Sequence, residues 1–231
     1  MLNRILRPIG AAVASVTGID VSHFQQDIDW KAVASAGARF CFIKATEGAQ
    51  SVDERFTANW HGSAEAGLMR GAYHFFHPVV PVSAQVDLFV RTVEKLQEND
   101  LPPALDLEAP AEWTGIPQAN RVALVLQWLE GVENRLGVRP LVYLCPAFAN
   151  EVLQNAPALA RFPLWIAHKT LAAAPMVPKP WKSWVFWQYS DQVKMPGIAT
   201  AVDGNRFNGT TDTLRALPSS TRAAVLAGGK S

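Results

Sequence analysis

Short runs that are apolar at nearly every position recur along this chain, and each of the early ones is followed by a stretch with helical spacing. Residues 39–45 (RFCFIKA), 71–76 (GAYHFF), 141–145 (LVYLC) and 163–167 (PLWIA) are of this kind. A strand apolar on both faces must be covered on both faces, which predicts a parallel sheet flanked by helices. Residues 18–22 and a run around 101–110 add two more strands, and helices are expected from Asp29, at 53–66, 82–96, 117–136 and around 147–154. Beyond residue 167 the pattern changes, because 184–189 and 198–203 read as strands joined by loops with no helix between them. Eight strands with helices after the first five predict an α/β chain closing into a single irregular TIM-like barrel, (β/α)5(β)3.

At 231 residues, 49% of them hydrophobic, the chain suits one large domain, and no Ser-, Gly- or charge-rich stretch divides it. We expect a catalytic barrel at 17–213, an N-terminal extension at 1–16 and a polar, loosely held tail at 214–231. The extension, with basic residues before Ala12-Val13-Ala14, faintly resembles a signal peptide, although Pro8 interrupts its apolar run. Nothing later reaches the length of a membrane span. The 21 basic and 20 acidic residues leave a net charge of +1, and no basic block interleaves with aromatics, so neither nucleic acid nor membrane is an expected partner. Cys41 and Cys145 fall in expected strands far apart in sequence and read as small buried hydrophobes rather than a disulfide or metal pair. No cofactor is expected, and the chain reads as a monomer.

The most chemically loaded stretch is Leu105-Asp106-Leu107-Glu108. On a strand, alternate side chains share a face, so Asp106 and Glu108 should stand side by side with Cα atoms about 6.6 Å apart. Two carboxyls that close in a partly dry cleft do not both ionise freely, and one is expected to stay protonated near neutral pH. In barrels of this type the chemistry lies at the C-terminal strand ends. Asp20, Asp106, Glu108 and Asp203 each fall at or just past the C-terminal end of an expected strand, so four acids should converge on one mouth.

Seven segments, in order, carry a family resemblance: Gly18-Ile19-Asp20-Val21-Ser22, Ile43-Lys44-Ala45-Thr46-Glu47-Gly48, Arg70-Gly71-Ala72-Tyr73-His74-Phe75-Phe76, Leu105-Asp106-Leu107-Glu108, Pro163-Leu164-Trp165-Ile166-Ala167, Trp187-Gln188-Tyr189-Ser190 and Val202-Asp203-Gly204-Asn205-Arg206-Phe207. Over roughly residues 17–213 the chain resembles the glycoside hydrolase family 25 lysozymes. The resemblance implies an N-acetylmuramidase that cuts the β-1,4 bond between N-acetylmuramic acid and N-acetylglucosamine in peptidoglycan. It also implies Glu108 as general acid, Asp106 as the neighbour steering the substrate acetamido group, and Asp20 and Asp203 as flanking carboxylates. Tyr73, Tyr143, Trp165, Gln188, Lys44 and Glu47 lie near strand ends and are candidates to line sugar subsites. Gly204 departs from the pattern, standing where the family more often has a larger apolar residue.

Glycoside cleavage needs one protonated carboxyl and one negative group beside an oxocarbenium-like centre, and this quartet supplies both. Retention through the substrate's acetamide and inversion through water remain equally open. Two rivals stand beside this reading: a barrel that binds cell-wall glycan without cutting it, and a metal-dependent hydrolase using His74. With no third ligand recurring at metal spacing, His74 and His77 read as structural rather than as ligands. The expected place of action is the bacterial cell wall, reached by secretion, in the periplasm, or by release as a phage endolysin.

Overall fold

The computed structural model describes residues 16–228. The signal-like segment therefore lies outside the described residues, apart from Val16, which opens the first strand. The strands are β1 (Val16–Val21), β2 (Phe40–Glu47), β3 (Ser51–Val52), β4 (Met69–Phe75), β5 (Ala104–Asp106), β6 (Leu141–Leu144), β7 (Leu164–Ala167), β8 (Phe186–Lys194) and β9 (Ala201–Phe207). The helices are α1 (Trp30–Ser35), α2 (Phe56–Glu65), α3 (Val82–Val93), α4 (Gln118–Leu136) and α5 (Thr211–Gly228). The sheet runs β1-β9-β8-β7-β6-β5-β4-β2-β3 and closes through a β1–β2 pairing, so eight strands form the barrel and β3 hangs from the edge of β2.

Local chemistry accounts for the elements. Asp29 caps α1, its side chain accepting from the Ala32 N–H at 3.1 Å. In α4, Val125, Trp128, Leu129 and Val132 recur at i, i+3, i+4 and i+7 and are buried, and Gly137 ends the helix at φ 65°.

The structure differs from expectation in several places. β9 runs antiparallel to both β8 and β1, so the barrel is parallel only from β1 through β8. β9 begins at Ala201 and continues to Phe207, because the Met195–Ile198 turn, with Gly197 at φ 92°, occupies the start of the expected strand. After β6 the chain makes a π-helical turn (Phe148–Val152) and a 3-10 turn (Pro157–Arg161) rather than a regular helix. The segment expected as a loosely held tail is helical: α5 spans Pro218, with Leu214 and Thr221 buried. Thr221 Oγ1 donates to the Leu217 and Pro218 carbonyls there. Cys145 is exposed, one residue past the end of β6, whereas Cys41 is buried as expected.

Two apolar layers result from the strand period of two. Phe40, Phe42, Leu141, Tyr143, Trp165 and Phe186 form an inner cluster, while Cys41, Ile43, Val142, Leu144 and Ile166 pack outward with the helices. The inner rings meet across the barrel, Phe42 stacking on Trp165 at 4.3 Å and packing edge-on against Phe186 at 5.0 Å. Gly71 makes room for them, since a Cβ there would lie 2.5 Å from Phe42 Cε1.

Candidate active site

Continuing each inward row by two residues toward the mouth replaces apolar by polar side chains. Gly18 leads to Asp20, Phe42 to Lys44, Gly71 to Tyr73, Ala104 to Asp106, Leu141 to Tyr143 and Phe186 to Gln188. The same alternation that fills the barrel therefore lines its mouth with polar groups. β9 approaches from the other direction, and Phe207, Asn205 and Asp203 form its inward row. Asp203 thus reaches the mouth near the start of its strand and not at the C-terminal end expected from sequence, because β9 is the antiparallel return. Asp20 and Asp203 are direct partners in the β1–β9 register.

The cleft at this mouth has a volume of about 350 Å³ and is lined by all four acids together with Lys44, Tyr73, Tyr143, Trp165 and Gln188. Glu47 is not part of the lining. Its carboxylate instead binds Lys44 Nζ at 2.5 Å and His77 Nε2 at 3.0 Å. His77 Nδ1 meets Glu112 at 2.7 Å, so His77 bridges the end of β2 to the turn that follows Glu108. Two carboxylates can both accept from one imidazole only when it carries both protons, and their presence raises the His77 pKa against its partial burial. His74 behaves in the opposite way. Buried against Trp128, with its nitrogens on Thr46 Oγ1 and Gln85 Oε1, it is pushed down to about 4, chiefly by desolvation. Both histidines are packed into the scaffold.

The acids occupy different environments. Asp20 is buried, and its Oδ2 accepts from Gln188 Nε2 at 3.0 Å and Asn205 Nδ2 at 2.6 Å. Tyr143 donates to Gln188 Oε1 at 2.9 Å, and Trp165 Nε1 donates to Asn205 Oδ1 at 2.8 Å. Because a tyrosine hydroxyl and an indole N–H fix the two amide oxygens, both amide NH₂ groups must face Asp20. Even so, burial first, and the Asp203 charge second, raise the Asp20 pKa to about 8. Asp203 is raised to about 6, again mainly by burial, with Lys169 opposing. Asp106 is buried and raised well above the usual carboxylate range by desolvation and then by Glu108. Its Oδ1 has no protein partner. Glu108 lies past the end of β5, exposed at the rim, with Leu107 anchored behind it by a hydrogen bond to the Tyr143 carbonyl.

A second groove, lined by residues including Cys145, Phe148, His168, Lys169 and Met176, adjoins the first and shares Glu108, Tyr143 and Gln188 with it. Glu108 therefore stands where two hollows meet. Asn205, Phe24, Lys169 and Asp191 also help build the site, yet the sequence reading did not select them as site residues. The Asp203-Gly204-Asn205 spacing carried the signal for Asn205, since it puts both side chains on one strand face.

Comparison with known proteins agrees with this geometry. The model of glycosyl hydrolases family 25 matches residues 19–198, which span β1 to β8. The Escherichia coli K12 protein YegX is 40% identical over 208 residues, covering 88% of this chain and 73% of that protein. Lysozyme M1 of Streptomyces globisporus is 36% identical over 227 residues, covering 93% of this chain and 76% of that protein. Among solved structures, the bacterial lysozyme from Streptomyces coelicolor superposes with a TM-score of 0.86 at 35% identity, over 90% of this chain and 99% of that one. A family model across most of the barrel, and a lysozyme fold matched along nearly the whole chain, lead to one assignment: this chain belongs to glycosyl hydrolases family 25.

Proposed function

We propose that the chain is a lysozyme that hydrolyses the β-1,4 bond between N-acetylmuramic acid and N-acetylglucosamine in peptidoglycan. The observation that carries this reading is the convergence of Asp20, Asp106, Glu108 and Asp203 on one cleft, where burial raises the pKa of Asp20, Asp106 and Asp203. Glu108 protonates the leaving glycosidic oxygen, a role supported by its exposure at the junction of the two hollows, across which a glycan can lie. Asp106 has an unengaged Oδ1 that suits an acetamido N–H of the substrate. Asp20 and Asp203 share protons between them near neutral pH, and the ionised member stabilises positive charge at the anomeric carbon. The catalytic unit is the barrel at 17–213, acting as a monomer on the bacterial cell wall.

Mass spectrometry of digested peptidoglycan tests this directly. N-acetylmuramic acid should appear at every new reducing end, and N-acetylglucosamine there would refute the bond assignment.

A further inference from the structure

The turn after β1 presents an aromatic ring that nothing in the chemistry above uses. Phe24 is 68% exposed, yet it sits in the wall of the acid cleft rather than on the outer surface. Its backbone is fixed from several sides. Ser22 and Gln25 form a reciprocal capping box, the Ser22 side chain taking the Phe24 N–H and Gln25 Oε1 taking the Ser22 N–H. The carboxylate of Asp53, whose side chain is fully buried, accepts from His23 N at 3.0 Å and His23 Nδ1 at 2.8 Å, with its other oxygen on the Arg55 N–H at 3.0 Å. The His23 ring lies 4.2 Å from the Phe24 ring and backs it. A buried carboxylate, a capping box and a neighbouring, tilted imidazole thus support one large apolar side chain in water.

We propose that Phe24 is a stacking platform for a pyranose ring of the glycan, remote from the bond that is cut. The proposal deepens the lysozyme reading and rests on it. Phe24 follows Asp20 by four positions in the chain, and the second groove lies on the opposite arc of the mouth, over β5 to β7. A glycan crossing Glu108 from that groove leaves the cleft on the β1 side, where Phe24 stands. A hexosamine has an apolar face of C–H groups and a polar edge. The face matches an exposed ring, and the edge matches the acids and amides that line the rest of the cleft. A phenyl ring on a fixed backbone has only two side-chain torsions to order when a sugar docks on it.

The test is a binding titration of a peptidoglycan-derived tetrasaccharide of alternating N-acetylglucosamine and N-acetylmuramic acid, in a Glu108→Gln background so that it is not consumed. Phe24→Ala should weaken binding about threefold to tenfold. Phe24→Leu, which keeps apolar area but lacks a ring, should be as weak as Phe24→Ala, whereas Phe24→Trp should bind at least as tightly as the parent. In otherwise unaltered enzyme, Phe24→Ala should raise KM on polymeric peptidoglycan with kcat unchanged. Unchanged affinity in Phe24→Ala, full affinity in Phe24→Leu, or no binding by any of the proteins overturns the platform. The bond specificity is read separately from the reducing ends, so the two readings can fail independently.

Discussion

Asp20 and Asp203 face each other as register partners across the antiparallel pair β1–β9, where the Asp203 charge, after burial, holds the proton on Asp20 and a hydrogen bond from Asp20 favours the Asp203 carboxylate. Both folded values, about 8 and about 6, exceed the roughly 3.9 of an unfolded aspartate. The folded chain therefore binds more protons than the unfolded one, and this pair's contribution to stability declines as pH rises from about 4 to about 8. Asp20→Asn removes the charge but keeps an oxygen for Gln188 and Asn205. We expect it to melt higher than wild type at pH 8, the advantage vanishing at pH 4, while activity falls about a hundredfold or more. Thermal melts at the two pH values decide the point, and a lower melting temperature at pH 8 would make Asp20 a structural ion-pair partner instead.

Glu108→Gln should lower turnover about a thousandfold while leaving glycan binding and stability nearly intact. The amide keeps the shape but has no proton to deliver, and an exposed position tolerates the change. Reducing-end release from soluble peptidoglycan fragments, alongside a melting curve, measures both. Near wild-type hydrolysis would remove Glu108 from the role of acid.

The rate should be bell-shaped, its acidic limb near pH 6, where Asp203 takes up a proton and the supporting negative charge is lost, and its alkaline limb near pH 8, where Asp20 loses the pair's last proton. Asp106 is raised by the Glu108 and Asp20 charges after burial and so titrates as part of the same cluster. Asp106→Asn should shift the alkaline limb to lower pH as well as slow the reaction. A slower enzyme with an unmoved limb would mean that Asp106 acts on the substrate alone.

His77→Gln should destabilise the protein by on the order of 1 kcal/mol in mildly acidic solution and by less as the medium becomes alkaline. The folded His77 pKa is raised, so its share of the clamp is complete below the unfolded value of about 6.5 and fades as pH rises through the folded one. Glu47, whose pKa is lowered, loses its share only on acidification. Denaturant unfolding of both proteins across pH 5 to 9 is the measurement. A difference that grows toward pH 9 would show the imidazole to be neutral in the fold.

Much of this was legible in the sequence, and the reasons are local. The runs at 39–45, 71–76, 141–145 and 163–167 announced themselves because both faces of each strand are buried, leaving no polar alternation to confuse with a helix. The acids stood out because Asp106 interrupts an apolar row. What stayed hidden depended on direction or on distant partners. A strand carries no mark of which way it runs, so Asp203 was assigned to the wrong end of its strand although to the correct mouth. Asn205 and Asp53 look like ordinary polar residues until their partners, Trp165 and His23, are brought beside them. The segment from 214 read as a loose tail because it is polar, yet α5 runs through Pro218 with Leu214 and Thr221 buried, contacts that only the folded barrel supplies. Gly204, a departure from the family pattern, has neighbours that explain it: a Cβ there would fall 2.6 Å from Val193 Cγ2 and 2.9 Å from the Tyr189 hydroxyl.

The antiparallel return of β9 has a consequence for when the enzyme exists at all. β9 lies between β8 and β1, supplies both Asp203 and the Asn205 amide that holds Asp20, and is the last barrel strand in the sequence. Sealing the barrel and bringing the four acids to one cleft are therefore a single event. A chain paired only as far as β8 has an open seam and three of its four carboxylates, with the fourth still on the unattached segment. On the proposed chemistry, a chain whose β9 is peeled from its two neighbours would lack both Asp203 and the Asn205 amide at the cleft.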